Sequence, residues 1–374
     1  MGEKGKSLKE FVDNLVISDW DFENAPPKPY SWNEIDSIVF PADRWLVEGL
    51  IPREGITLFA AISGEGKSTV LMHLASCLSQ GLPWFNFPTR KARVLYLNLE
   101  MSISEMQRRG RMTGFPRDNP DLIVMNEDDF NLNEGIGKDD LKYKWLLKFI
   151  SEKDIQVLIV DTLRASAGGL KEDKAEDVRQ FFQKFQILKN SGVSVIFADH
   201  LRKPTQFEGK VPKKEQVLGS QDKTANAEVL LMIRRDETTG QHHIYQRKNR
   251  LGRELNPFAV KVSEVVDITG APSFVFEYVG EIEDDVNKKE EAKGLIRNLL
   301  SSGEILDRKQ LVELTGRQVG KKNLIAALKE LQLLQEIDFV KRGRSFCYFM
   351  PKKNEETPKE SLVNDDEMGF SDSP

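Results

Sequence analysis

The chain has 374 residues, 39% hydrophobic and 30% charged, enough for two or three soluble domains with buried cores. No apolar run approaches the roughly 18–20 residues needed to span a membrane, no signal core follows the first residues, and Cys77 and Cys347 are the only cysteines; the sequence therefore predicts a cytoplasmic protein without a membrane partner, a disulfide framework or a cysteine metal site. The net charge of −5 argues weakly against nucleic acid, but seven acids against three lysines in residues 351–374 carry most of it, so local basic patches decide the matter.

In chain order, residues 1–40 read as a polar, irregular N-terminal arm. Pro26, Pro27 and Pro29 stand close together, and Trp20, Phe22, Tyr30 and Trp32 suggest that the arm packs on its own domain or on a neighbouring subunit. Residues 41–280 form the main domain. Ile56–Ala60 reads as a buried strand, and Val70–Gln80 as a helix that stops at Gly81. Between them lies Ala61-Ile62-Ser63-Gly64-Glu65-Gly66-Lys67-Ser68-Thr69, a P-loop whose first glycine is replaced by alanine. Its backbone N–H groups and the helix N-terminus would cradle phosphates, so ATP is the expected cofactor, held by Ser63, Gly64, Glu65, Gly66, Lys67, Ser68 and Thr69. Lys67 would reach the β- and γ-phosphates, and Ser68 would hold Mg²⁺.

Val94–Leu99 is a second near-continuous apolar run, ending at Glu100; Ser102-Ile103-Ser104-Glu105 reads as a capping box that starts the next helix. A short strand is expected near Leu122–Met125 and a core-facing helix over Lys138–Ser151. Val157–Val160 followed by Asp161 has the form of a strand delivering a Mg²⁺-binding acid, a weak pattern alone that gains force after a P-loop. An amphipathic helix over Asp173–Asn190 leads to the strand Val193–Ala198, with Asp199-His200 at its tip. Alternating strands and helices predict an α/β fold with a mostly parallel sheet, whose ligands sit at the carboxyl ends of the strands. Glu100, Asp161 and His200 fall there with Lys67. Glu100 could orient and deprotonate an attacking water, and His200 could sense the γ-phosphate.

Residues 201–217 are basic and without period, and read as a mobile loop at the same edge. Gln221 after it could touch nucleotide or loop. Ala227–Arg234 and His242–Lys248 read as antiparallel edge strands, with further strands near Phe258–Val262 and Phe274–Tyr278. The Lys248-Asn249-Arg250 step could reach phosphate in a neighbouring subunit, an arginine finger in trans. Residues 281–287 read as a linker, residues 288–350 as a winged helix-turn-helix domain, and residues 351–374 as a disordered acidic tail. Arg317, Lys321 and Lys322 start the third helix of that domain, and Lys341, Arg342 and Arg344 lie on its wing; they would meet duplex DNA, or the domain would dock a protein.

Taken together, this order resembles the RecA-like ATPase core. Ala61–Thr69, Leu97–Glu100, Val160-Asp161, Ala198–His200 and Gln246–Arg250 are most similar to the RepA-type hexameric replicative helicases of plasmids and mobile elements, over about residues 41–280. The resemblance implies a homo-hexameric ring, ATP between subunits, and single-stranded DNA through the central channel. It implies Glu100 as catalytic base, Arg250 as finger with Lys248 beside it, and residues 201–217 as a DNA-binding loop. Arg202, Lys203, Lys210, Lys213 and Lys214 would grip phosphates there without regard to sequence. A filament-forming recombinase and a KaiC-like regulatory ATPase or DNA-binding switch are the competing readings.

Overall fold

The computed structural model describes residues 29–39, 43–126, 132, 141–203, 211–219, 221–266, 270–282, 285–315, 319–342 and 345–351. Residues 1–28, Lys210, Arg317, Arg344 and nearly all of the expected tail lie outside the described residues. The chain divides into two compact units, Met1–Glu283 and Asp284–Pro374. Among the described residues no helix is long and apolar enough to cross a membrane.

The first unit begins, in its described part, with a helix at Trp32–Asp36 inside the segment expected to be irregular; Ser31 and Glu34 cap it reciprocally. Two short strands follow as an antiparallel pair, β1 (Trp45–Val47) and β2 (Ile51–Pro52). The main sheet contains β3 (Ile56–Ala61), β4 (Val94–Asn98), β5 (Leu122–Asn126), β6 (Val157–Asp161), β7 (Ser194–His200), β8 (Val229–Arg235), β9 (His242–Asn249), β10 (Phe258–Val266) and β11 (Pro272–Glu281). Their spatial order is β11-β10-β9-β8-β3-β7-β6-β4-β5. From β8 to β5 all neighbours run parallel, while β9, β10 and β11 fold back antiparallel. Every residue of β3, β4 and β6 is buried, which is why these strands read as unbroken apolar runs rather than alternations.

The antiparallel pairing of 227–234 with 242–248 is present, but their expected place at the edge is not. β8 lies inside the sheet, parallel to β3 on one side and antiparallel to β9 on the other. The edges are β5 and β11. The apolar composition of β8, fully buried over Val229–Ile233, is the sign of an interior strand.

Helices cover both faces. On one, Phe182 and Phe185 of the helix Ala175–Asn190 pack edge-on and Phe181 tilted around Phe197 of β7, with ring centroids 4.8–6.2 Å apart. On the other lies the helix Lys67–Gln80, whose Val70, Leu71 and Leu74 join Phe59, Trp84 and Tyr96 in a second apolar layer. This helix starts at Lys67, three residues before the apolar period suggests, because the loop itself delivers its first turn; Gly81, at φ 72°, ends it. The helix after Glu100 runs Ile103–Met112 and is only half of a capping box. Ser102 Oγ accepts from the Glu105 N–H at 3.3 Å, but the Glu105 carboxylate turns to Arg108 at 2.8 Å and Arg109 at 2.5 Å.

The second unit has helices Asp285–Leu300, Arg308–Thr315 and Gly320–Leu333, and strands β12 (Leu306–Asp307), β13 (Asp338–Arg342) and β14 (Ser345–Phe349). The first helix begins inside the stretch expected as linker. The strands form an antiparallel sheet in the order β12-β14-β13, so β12 adds a third strand to the expected hairpin. Ile296, Leu300, Leu311, Leu324, Leu328 and Leu331 make its core.

Candidate active site

The loop between β3 and its helix is built by register and by two glycines. Ala61 is the last residue of β3, paired with His200 on one side and Ile233 on the other. It is strand and not turn, so a Cβ meets no conformational penalty, which accounts for alanine where the motif has glycine. Gly64 and Gly66 lie at φ 87° and 78°, the left-handed region that favours glycine. At Gly66 a Cβ would also approach His242 Nε2 of β9 to 2.8 Å. Ser63 is exposed at the rim, and Ser68 and Thr69 sit half-buried in the first helical turn, where free backbone N–H groups favour anions. Glu65 turns back to Arg234 of β8 at 3.6 Å, and burial raises its carboxyl above the usual range.

Lys67 is buried, and its Nζ has no partner among the described residues; the same holds for Oδ1 of the buried Asp161. Burial lowers the lysine pKa, against the charges of Asp161, Glu100 and Asp199. A buried ammonium and a buried carboxylate oxygen, both unsatisfied, are costly unless something between them supplies the missing contacts. A phosphate with its Mg²⁺ has that complementarity, so these residues fit the cofactor pair that the motif implies: backbone of residues 63–69 and Lys67 for phosphate, Ser68 and Asp161 for the ion.

The acids are aligned by register. Asn98 pairs with Asp161 across β4 and β6, and Leu99 N–H bonds Asp161 O at 2.9 Å. This brings Glu100 to Thr162, whose Oγ1 donates to its carboxylate at 2.6 Å, and to His200 Nε2 at 3.8 Å. At 3.8 Å the His200 contact is longer than a hydrogen bond. His200 first, and Thr162 after it, hold the Glu100 carboxyl down at about 2. Asp161 Oδ2 accepts from the Tyr96 hydroxyl at 2.7 Å. Thus Lys67, Glu100, Asp161 and His200 come together at one edge, as do Ser68 and Thr69.

Other expected site residues lie elsewhere. Arg250 N–H bonds Glu228 O, and Glu228 N–H bonds Ile56 O, so Arg250 is level with the start of β3. Over the five residue steps from Ile56 to Ala61 that is about 17 Å along the strand from the P-loop edge. Arg250 and Lys248 both donate to the Ala225 carbonyl, at 2.6 and 3.1 Å, and burial lowers the Lys248 pKa to about 8. Gln221 is exposed at the start of the helix Gln221–Asn226; the residue that ties this helix to the site is Lys223, two positions on. Its Nζ, fully buried, bonds both oxygens of Asp199 at 3.2 and 3.1 Å and Glu172 at 3.0 Å. Asp199 Oδ1 also accepts the His200 N–H at 2.9 Å.

The basic loop starts directly after His200 and is closed at its base. Leu201 bridges Val217, and Arg202 N–H bonds Gln216 O at 2.8 Å. Lys203 is exposed, while Lys214 reaches Glu254 at 3.8 Å. Lys213 precedes a single 3-10 turn over Lys214–Gln216. Lys321 and Lys322 are exposed in the first turn of the helix Gly320–Leu333 of the second unit.

Tyr96, Thr162, Lys223, Arg234 and His242 complete the site without having been singled out in the sequence, and Asp199, named there only beside His200, joins them. Tyr96 and Thr162 carried a faint signal: a lone hydroxyl in an apolar strand, and a hydroxyl directly after the candidate Mg²⁺ acid. Lys223 carried none.

The family model for an AAA domain matches residues 23–206. The core is an α/β fold with a mostly parallel central sheet and a P-loop between β3 and the helix Lys67–Gln80. No curated protein matches the sequence. Among solved structures the chain is similar to a KaiC-like protein from the hyperthermophilic archaeon Pyrococcus horikoshii OT3, at 14% identity and a TM-score of 0.42, over 63% of this chain and 95% of that chain. In this core the P-loop strand and the Asp161 strand are separated by β7, which sets His200 between the phosphate loop and the two acids.

Proposed function

We propose that the chain is an ATP-driven motor: a homo-hexameric ring that translocates on single-stranded DNA, or unwinds duplex ahead of it, in the replication of a plasmid, phage or mobile element. The observation that carries this reading is the position of Arg250 and Lys248. Arg250 stands about 17 Å along the sheet from its own P-loop edge and Lys248, level with Leu58, about 10 Å, and both side chains turn to the Ala225 carbonyl rather than toward that edge, so the phosphate they would meet belongs to a neighbouring subunit.

ATP with Mg²⁺ supplies the γ-phosphoryl group and its charge neutralisation when bound. The chain supplies the rest. Residues 63–69 and Lys67 hold the phosphates. Glu100, kept ionised by His200 and Thr162, orients the attacking water and takes up its proton. His200 links Glu100 to the base of the basic loop, so the state of the site is passed to Arg202, Lys203, Lys213 and Lys214. These would hold single-stranded DNA by its phosphates, with strong salt dependence.

The test is ATP hydrolysis with and without single-stranded DNA, with particle mass determined in parallel. Glu100→Gln is expected to keep nucleotide affinity and lose turnover by about 10²–10⁴-fold, the usual share of a general base. Arg250→Ala is expected to lose about 10³-fold or more of DNA-stimulated turnover, while its own P-loop still binds nucleotide. Full turnover by a monomeric Arg250→Ala protein, or indifference to DNA, would overturn the motor. A nucleotide-dependent switch would then be the better account. It would act on duplex DNA or a protein through the second unit, read as a winged helix with Lys321, Lys322 and Arg344.

A further inference from the structure

Asp161, the acid placed to hold Mg²⁺, is held asymmetrically. Its two oxygens are not equivalent: Oδ2 accepts the Tyr96 hydroxyl at 2.7 Å, whereas Oδ1 is buried without a partner among the described residues. Tyr96 lies in the middle of β4, fully buried, and pairs in register with Ile159 of β6, two residues before Asp161. Its ring is packed in the apolar layer under the P-loop helix, with Phe115 at a centroid distance of 6.4 Å.

A carboxylate at a strand end can rotate about its Cβ–Cγ bond, and either oxygen could then face the ion or its water shell. A fixed donor on one oxygen removes that freedom. Donors of this kind behind a metal-facing group orient it and raise ion affinity. We propose that Tyr96 is a positioning residue for the nucleotide-bound Mg²⁺: by bonding Oδ2 of Asp161 it presents Oδ1 to the ion.

This rests on the P-loop reading above, and the test separates the two. The probe is mant-ADP binding by the full chain, followed by fluorescence as Mg²⁺ is titrated, in wild type, Tyr96→Phe, Asp161→Asn and the double variant. Tyr96→Phe keeps the buried ring, and its thermal midpoint is measured alongside. The expected result is a half-saturating Mg²⁺ concentration raised about tenfold in Tyr96→Phe, unchanged mant-ADP affinity without Mg²⁺, and no further change when Tyr96→Phe is added to Asp161→Asn. An unshifted Mg²⁺ titration in folded Tyr96→Phe overturns the proposal. So does an equal shift in the Asp161→Asn background, which would mean that the hydroxyl acts through packing. A collapsed thermal midpoint assigns the hydroxyl to the core and overturns it too. A wild-type chain that does not bind mant-ADP refutes the nucleotide site itself, one that binds it without regard to Mg²⁺ refutes the metal site alone, and the role of Tyr96 falls with either.

Discussion

Lys67→Ala is expected to remove ATP turnover by at least about 10²–10³-fold, the scale of losing one preorganised charge at a transferring phosphate, without weakening the nucleotide-free fold. The second half follows from burial. Lys67 Nζ has no hydrogen-bond partner among the described residues, and its desolvation outweighs the attraction of Asp161, Glu100 and Asp199, so the empty site gains no net stability from the ammonium. Thermal unfolding without nucleotide should therefore be unchanged or slightly raised. With nucleotide the order reverses. A site filled at a hundred times its Kd stabilises wild type by about 2.7 kcal/mol, and the variant loses most of that gain. pH supplies a second readout. The folded-state pKa of Lys67 lies below its ordinary 10.5, so the unfolded chain binds more protons between the two values, and nucleotide-free stability rises with pH across that window. Lys248, lowered to about 8, adds to the rise in the same direction. Lys67→Ala should flatten part of the slope. A variant that unfolds at lower temperature in the absence of nucleotide would show that Lys67 is a structural residue.

The elements that sequence reveals best are those whose signal is local. The P-loop, the strand ending in Asp161 and the helix stop at Gly81 depend on a few adjacent residues with one physical job each. Interior β8 was harder. Its apolar run is compatible with an edge or a centre, and only its parallel pairing with β3 places it inside. Alanine stands at 61 where the motif has glycine, and the strand pairing on both sides shows that glycine's freedom is not needed there. The residues that escaped notice are contacts between distant positions. Thr162 meets Glu100, Tyr96 meets Asp161, and Lys223 meets Asp199 and Glu172, over separations of 62, 65, 24 and 51 residues. No periodicity encodes such pairs, because each partner alone is an ordinary polar residue in an ordinary element.

Lys223→Met is the substitution with the largest expected effect on stability. Lys223 is 0% exposed and Asp199 1%, so the pair is in the dry core, while Glu172 at 22% is partly screened. Burial raises the Asp199 carboxyl above its usual range, and Lys223 is the leading opposing influence. Removing the ammonium leaves a buried carboxylate with only the His200 N–H to satisfy it, and breaking a buried pair from one side costs about 3–5 kcal/mol. Urea unfolding should show that loss as a shifted midpoint with an unchanged slope. Because the residual charge is the cause, raising the proton concentration should help: with Asp199 free to protonate, the deficit of Lys223→Met shrinks as pH falls toward its raised pKa. Adding Asp199→Asn should likewise recover most of the loss, since a neutral amide in the same place carries no unpaired charge. A Lys223→Met deficit that stays the same in the Asp199→Asn background would instead assign the lysine's contribution to packing of its alkyl chain between the helix Gln221–Asn226 and β7. The result bears on function as well, since Asp199 fixes the backbone of His200, and His200 stands 3.8 Å from Glu100. The same double variant, stable but without the ion pair, should hydrolyse ATP more slowly than wild type if the tip of β7 must be held in register with the acids.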